Sequence, residues 1–371
     1  INETDTLISR VGHYYTQTDD AYVSYDVNVR NESYVMDCDS LRYNSAQKVV
    51  YFISPTQLCS DDQDLYTEGG WYDTGNDISL LVGHVQMQKK YQTVQGDSIY
   101  YNKFAHFGRA WNHVEVVDTS QHYVVRGNFL EYHDKGGESF ATDSALLIMI
   151  DGPDSLYVHA DTLKLFTNDN QDAELMLAYH HTKFYRHDIQ GACDSLSFTL
   201  SDSLLQMYHN PVVWSEEYQM TADTIVAFKI DSARARVQLC RSAFLVGGIY
   251  RDTEFNQVKG TQITGYIENR KLYQVDIDNN AECVYYVQEE DSSLIGINTS
   301  ITSQMRVLLE DNKIRQIRFY DQPDGKIYPD ARFEEKNRKL LDFRWLNKYR
   351  PLGVSDLFVN PIPREKGEEE M

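Results

Sequence analysis

A short motif returns along this chain about every thirty residues, the kind of interval that marks a stacked array. A small or turn residue precedes Asp, then Ser or Thr, an aliphatic, any residue, and an aromatic or aliphatic. The copies are Asp39-Ser40-Leu41-Arg42-Tyr43, Asp97-Ser98-Ile99-Tyr100-Tyr101, Asp161-Thr162-Leu163-Lys164-Leu165, Asp194-Ser195-Leu196-Ser197-Phe198 and Asp223-Thr224-Ile225-Val226-Ala227. Weaker copies begin at Gly70, Gly127 and Gly260. A unit of this size cannot bury its own apolar face, so neighbouring units must stack to build a core.

Each unit reads as two strands. After the Asp-Ser/Thr pair, apolar and polar residues alternate, which places Leu41 and Tyr43 on one face and Arg42 on the other. A turn follows, such as Asn44-Ser45-Ala46-Gln47, Asn102-Lys103 or His133-Asp134-Lys135-Gly136-Gly137. The second strand comes next, as in Lys48–Ile53, His113–Val117 or Pro211–Trp214. Asp and Ser/Thr side chains accept hydrogen bonds from backbone N–H groups just ahead, so the pair is read as a corner former. A residue repeated at every corner is a poor candidate for catalysis.

Composition agrees. The 371 residues include 27 Tyr against 15 Phe and 4 Trp, and aromatic and β-branched side chains suit pleated, half-buried surfaces. The net charge of −21 excludes a nucleic-acid binder, which needs a basic footprint, and opposes electrostatic docking on anionic headgroups. No run of eighteen apolar residues occurs, so no membrane-spanning helix is expected. The chain opens at Ile1 in polar sequence, and the expectation is an exported protein whose signal segment has been removed. The five cysteines, Cys38, Cys59, Cys193, Cys240 and Cys283, show no metal-ligand spacing, and a buried free thiol is the preferred reading for those inside strands.

Catalytic signatures are not found: no phosphate loop, dinucleotide fingerprint, nucleophile elbow, HExxH or EF-hand loop occurs. His180-His181 lies in a strand-like stretch, where neighbours point to opposite faces. Asp61-Asp62-Gln63-Asp64 and Glu289-Glu290-Asp291 read as solvated acidic corners. Neither a catalytic centre, a metal nor a cofactor is expected. The repeat region is assigned to residues 1–322, with a subdivision possible at 151–155, and a non-repeat cap to 323–371. Residues 330–350, basic and apolar in turn, read as a short helix or an extended cap over the last rung, or as a partner-docking segment; the tail from Pro361 is charged.

Taken in order, these motifs resemble the OstA-like repeat of periplasmic lipopolysaccharide-transport proteins. The nearest local match is His209-Asn210-Pro211-Val212-Val213-Trp214-Ser215 followed by Gln219-Met220-Thr221-Ala222-Asp223-Thr224-Ile225. Gln257–Gly260, Leu272-Tyr273, Asn280–Glu282, Tyr285-Tyr286 and Leu294–Gly296 are similar to the larger OstA-like proteins of the Bacteroides group, and the resemblance runs over roughly residues 10 to 320. It implies an all-β, repetitive β-jellyroll, a "β-taco" of stacked V-shaped rungs with an open hydrophobic groove. It implies a periplasmic carrier of lipopolysaccharide that holds acyl chains without covalent chemistry. The implied partners are proteins of the same fold, joined edge to edge.

Such a groove needs apolar side chains on one face of successive strands. The alternation supplies Leu41, Tyr43, Ile99, Tyr101, Val114, Val116, Leu163, Leu165, Leu196, Phe198, Val212, Trp214 and Ile225. The same residues would equally fill a closed β-core, as in a structural or adhesive solenoid. A polysaccharide-active β-helix enzyme is a third possibility.

Overall fold

Alternating residues and Asp-Ser/Thr corners produce strands almost without interruption. The computed structural model describes residues 6–359 except 31, 62, 134–135, 152–153, 169, 171, 252–253, 290–292 and 311–312, with the backbone alone at 248–251 and 313. Asp62, Asp134-Lys135, Gly152-Pro153, Glu290-Asp291 and the tail from Pro361 lie outside the described residues. Every described pairing between strands is antiparallel, and the long strands pair with their neighbours in sequence, whereas short strands also pair with partners two or three strands away. The fold is all-β, a repetitive β-jellyroll, and the described helical residues form only short 3-10 turns near the C-terminus.

Two devices divide each rung into two arms. First, some strands are split in two, each half pairing with a different part of an unbroken neighbour. Tyr34–Asn44 pairs through 41–44 with Val49–Phe52 and through 34–38 with Thr56–Ser60. Ile189–Thr199 likewise pairs with Val212–Ser215 at one end and Leu204–Tyr208 at the other. Second, the unbroken strands carry two consecutive left-handed residues at a register shift: Tyr25-Asp26, Asn112-His113, His180-His181, Arg241-Ser242 and Asn279-Asn280. Asn, Asp and His tolerate this backbone region better than most residues, and a bulge bends its strand. His180-His181 is therefore a corner, where strand alternation does not apply. Among the described residues, no group of three His, Cys, Asp or Glu could hold a metal.

The repeated aspartates serve these corners differently from the sequence reading. They reach the left-handed corner of the adjacent strand or their own hydroxyl neighbour. Asp97 meets His113 at 3.0 Å, Asp194 meets His180 at 3.4 Å, and Asp223 meets Arg241 at 3.5 Å. Asp39 and Asp194 also accept from the hydroxyls of Ser40 and Ser195.

The chain forms two compact units that meet between Glu174 and Leu175. In the first, Val27, Met36, Leu41, Phe52, Leu81, Val85, Ile99, Ala110 and Val114 are buried together. Arg42 leaves this core on the opposite face. It pairs with Asp20 at 2.9 Å and lies over the ring of Tyr51. The five cysteines are free thiols: Cys193 and Cys283 buried, Cys38 and Cys240 half-buried, Cys59 exposed.

In the second unit the C-terminal segment is an irregular cap with only short 3-10 turns, and it reaches beyond the last strands. It runs as a strap across the outer face of several strands. Phe333 packs on Val284, Tyr286 and Ile297; Leu340, Phe343 and Trp345 pack on Phe244, Val246 and Phe255; Leu346 and Tyr349 pack on Ala192, Val212 and Trp214.

Candidate functional site

The second unit holds a partly open apolar cavity of about 270 Å3 between its two arms. Strand register explains its walls. In one arm, Ala178, Leu196, Met207, Ile225, Leu239, Ile263, Ile277 and Met305 are successive cross-strand partners. This row is buried throughout, and an apolar residue on every strand makes it continuous. Two residues further from the corner runs a second row: Phe198, Leu205, Ala227, Val237, Gly265, Val275, Val307 and Ile317. Its centre holds Ala227 and Gly265, so the side-chain layer thins there and leaves space.

The facing arm presents Gly191, Val213, Met220, Leu245, Val258 and Cys283 as another row of direct partners. Two glycines here are required by close approach. A Cβ at Gly247 would stand 2.1 Å from the Tyr218 ring, and one at Gly191 would stand 2.3 Å from the Phe184 ring. Both rings line the cavity and lie against bare backbone. Polar lining comes from a few residues, among them Ser215, Glu216, Asn256 and Arg270. Burial pushes the Cys283 thiol up to about 11, so this wall carries a neutral thiol at ordinary pH. Dry apolar walls with a few polar groups are the usual make-up of a site for an apolar ligand.

The thirteen residues picked from the sequence divide by unit. Leu41, Tyr43, Ile99, Tyr101, Val114, Val116, Leu163 and Leu165 lie in the first unit, where Leu41, Ile99 and Val114 belong to its buried cluster. In the second unit Ile225 lines the cavity, while Leu196 and Phe198 continue its two rows. Val212 and Trp214 face the strap instead, because their neighbour Val213 takes the inward position. The missed residues lie mostly beyond position 225: Leu239, Ile263, Val275, Met305, Val307 and Ile317. Their corners are Arg241-Ser242, Gly260-Thr261 and Asn279-Asn280, without an Asp-Ser/Thr pair. Alternation in Ala235–Leu239, Ile263–Ile267 and Met305–Leu309 was the available signal.

Fold and cavity together define the class: a stacked β-jellyroll with an apolar interior. Residues 1–97 match the model of the family described as OstA-like protein. That match covers part of the first unit. A search of curated proteins returned no match. Among solved structures the chain is similar to LptH, the LptA homologous periplasmic component of the conserved lipopolysaccharide transport device from Pseudomonas aeruginosa. That similarity has 13% identity and a TM-score of 0.28, over 32% of this chain and 82% of that one.

Proposed function

We propose that this chain is a non-enzymatic carrier in lipopolysaccharide transport, and that the cavity of the second unit holds lipid acyl chains. The observation that carries this reading is the pair of apolar rows facing a third across an unfilled space. Each methylene moved from water into such a space contributes about 0.8 kcal/mol, so a chain is retained without ionic contact. The OstA-like match over residues 1–97 supports the transport role. The engagement of Asp97, Asp194 and Asp223 at corners supports a structural, not a catalytic, use of the repeated acids. The chain's charge of −21 favours a bound lipid whose anionic headgroup projects into solvent. A periplasmic location and assembly with proteins of the same fold belong to this proposal, and no cofactor is needed.

The test is binding of a fluorescent acyl probe and its displacement by lipopolysaccharide. Val237→Asp and Val307→Asp place a carboxylate on the cavity wall and should abolish binding while the β-sheet circular dichroism persists. Unaltered binding in both folded variants would remove the cavity from the proposal.

A further inference from the structure

The strap that crosses the outer face of the second unit has a period of its own. Arg338-Lys339-Leu340, Arg344-Trp345-Leu346 and Arg350-Pro351-Leu352 repeat an Arg-x-Leu triplet every six residues. Three buried glutamines, Gln257, Gln219 and Gln190, meet the three triplets in turn. The Gln257 amide donates to the Arg338 carbonyl at 2.7 Å and accepts from the Leu340 N–H at 2.9 Å. The Gln219 amide does the same for Arg344 and Leu346, both at 2.7 Å. Each side-chain amide therefore contacts the strap as a neighbouring strand's backbone would. At the third step the Arg350 guanidinium donates to Gln190 at 2.7 Å and to the Glu216 carbonyl at 2.7 Å.

The spacing has a structural origin. Gln190, Trp214, Gln219, Val246 and Gln257 are successive cross-strand partners, so the glutamines stand on every second strand of one row. Two strand spacings are about 10 Å, whereas six extended residues would span about 20 Å. The strap is shortened to fit by a turn from the Phe343 N–H to the Leu340 carbonyl in the first interval and by the 3-10 turn Asn347–Tyr349 in the second. Arg338, bound to Glu254 at 2.8 Å and Asp330 at 2.7 Å, anchors one end.

The strands that carry this ladder also form the cavity wall. Gln219 alternates with the lining residues Tyr218 and Met220, Val246 with Leu245 and Gly247, and Gln257 itself lines the cavity together with Asn256 and Val258. We infer that the glutamine ladder is a docking site that reads the six-residue phase of the strap, and that strap docking and cavity filling are one coupled equilibrium. Releasing the strap would break its four hydrogen bonds to Gln219 and Gln257 and the Arg350 bond to Gln190, and would bare the outer apolar residues to water, so the wall would shift with it. Coupling of this kind is reciprocal: a ligand in the cavity must hold the strap more firmly. This inference rests on the acyl-chain reading for its ligand, but not for its mechanics.

The experiment uses the full chain and the double variant Gln219→Met/Gln257→Met, which keeps volume and removes both amides. A second variant inserts one glycine after Asp342 and so shifts the phase between the first two triplets. Three quantities are read: hydrogen exchange of residues 338–352, alkylation of Cys283 followed by mass spectrometry, and the Kd of a fluorescent fatty acid. In both variants strap exchange and Cys283 alkylation should rise at least tenfold and the Kd should weaken at least tenfold; in the parent chain the fatty acid should slow strap exchange. Strap exchange that rises while Cys283 alkylation and Kd stay within twofold would overturn the coupling. Unchanged strap exchange in the folded variants would overturn the ladder. If the parent chain binds no fatty acid, the acyl-chain reading fails, and Cys283 alkylation still decides between a coupled and an independent strap. Should the double variant not fold, Gln219→Met alone, at a residue that does not line the cavity, gives the same readouts.

Discussion

Ala227 is the place where the cavity can be closed with a single substitution. It lies between Leu205 and Val237 in the second apolar row, and its small side chain helps to leave the space of about 270 Å3 open. Ala227→Leu adds three carbons into that space. If each displaces one methylene of a bound acyl chain, the loss is about 2.4 kcal/mol at about 0.8 kcal/mol per methylene. That corresponds to a roughly fiftyfold weaker Kd. The folded state should not suffer comparably, because the added carbons fill a void without straining a packed core. The assay is titration of a fluorescent fatty acid against parent and variant, with thermal unfolding of both. A Kd within threefold of the parent, at an unfolding temperature no lower, would show that the acyl chain does not occupy this space.

Other outcomes follow from the same packing. Ile277 is fully buried between Ile263 and Met305, so Ile277→Ala should cost roughly 2–5 kcal/mol, read by denaturant unfolding of the second unit; a cost below about 1 kcal/mol would mean the row is not packed. Gly247→Ala would drive the Tyr218 ring into the cavity, lowering probe affinity more than stability, whereas Tyr218→Ala in the same background should restore binding. The Cys38 and Cys283 thiols are raised by burial from 9.0 to about 11 in the fold. Below pH 9 both states keep these protons; between about 9 and 11 only the unfolded chain releases them, so stability falls as pH rises through that window. Chemical denaturation at pH 8 and pH 10.5 should show the drop, and Cys38→Ala/Cys283→Ala should reduce it without abolishing it, because burial raises the Cys193 thiol as well.

Much of this architecture could be read in the sequence because its period is short and its chemistry repeats. The Asp-Ser/Thr pairs marked one set of corners, and Leu41, Ile99, Leu196 and Ile225, singled out by the alternation after them, are buried. The second set of corners was hidden, since Asn112-His113, His180-His181 and Asn279-Asn280 share a backbone conformation and not a motif. Around Pro211–Trp214 the alternation was legible but not the direction. A strand covered on both faces offers two apolar sides, and nothing local says that Trp214 meets the strap while Val213 meets the cavity. The strap itself lacks regular periodicity of helix or strand. Its six-residue phase matches a row of glutamines on distant strands, and that row exists only once the sheet is assembled.

The central claim is that an acyl chain lies between the two arms of the second unit, against the inward residues and not the outward ones. Lipopolysaccharide bearing a photoreactive diazirine on an acyl chain, irradiated with the protein and mapped by mass spectrometry, tests it directly. Insertion is expected at Leu205, Val237, Val275 and Val307, which line the cavity, and little at their strand neighbours Gln206, Gln238, Asp276 and Arg306. Equal labelling of both sets, or labelling confined to the outward one, would contradict it.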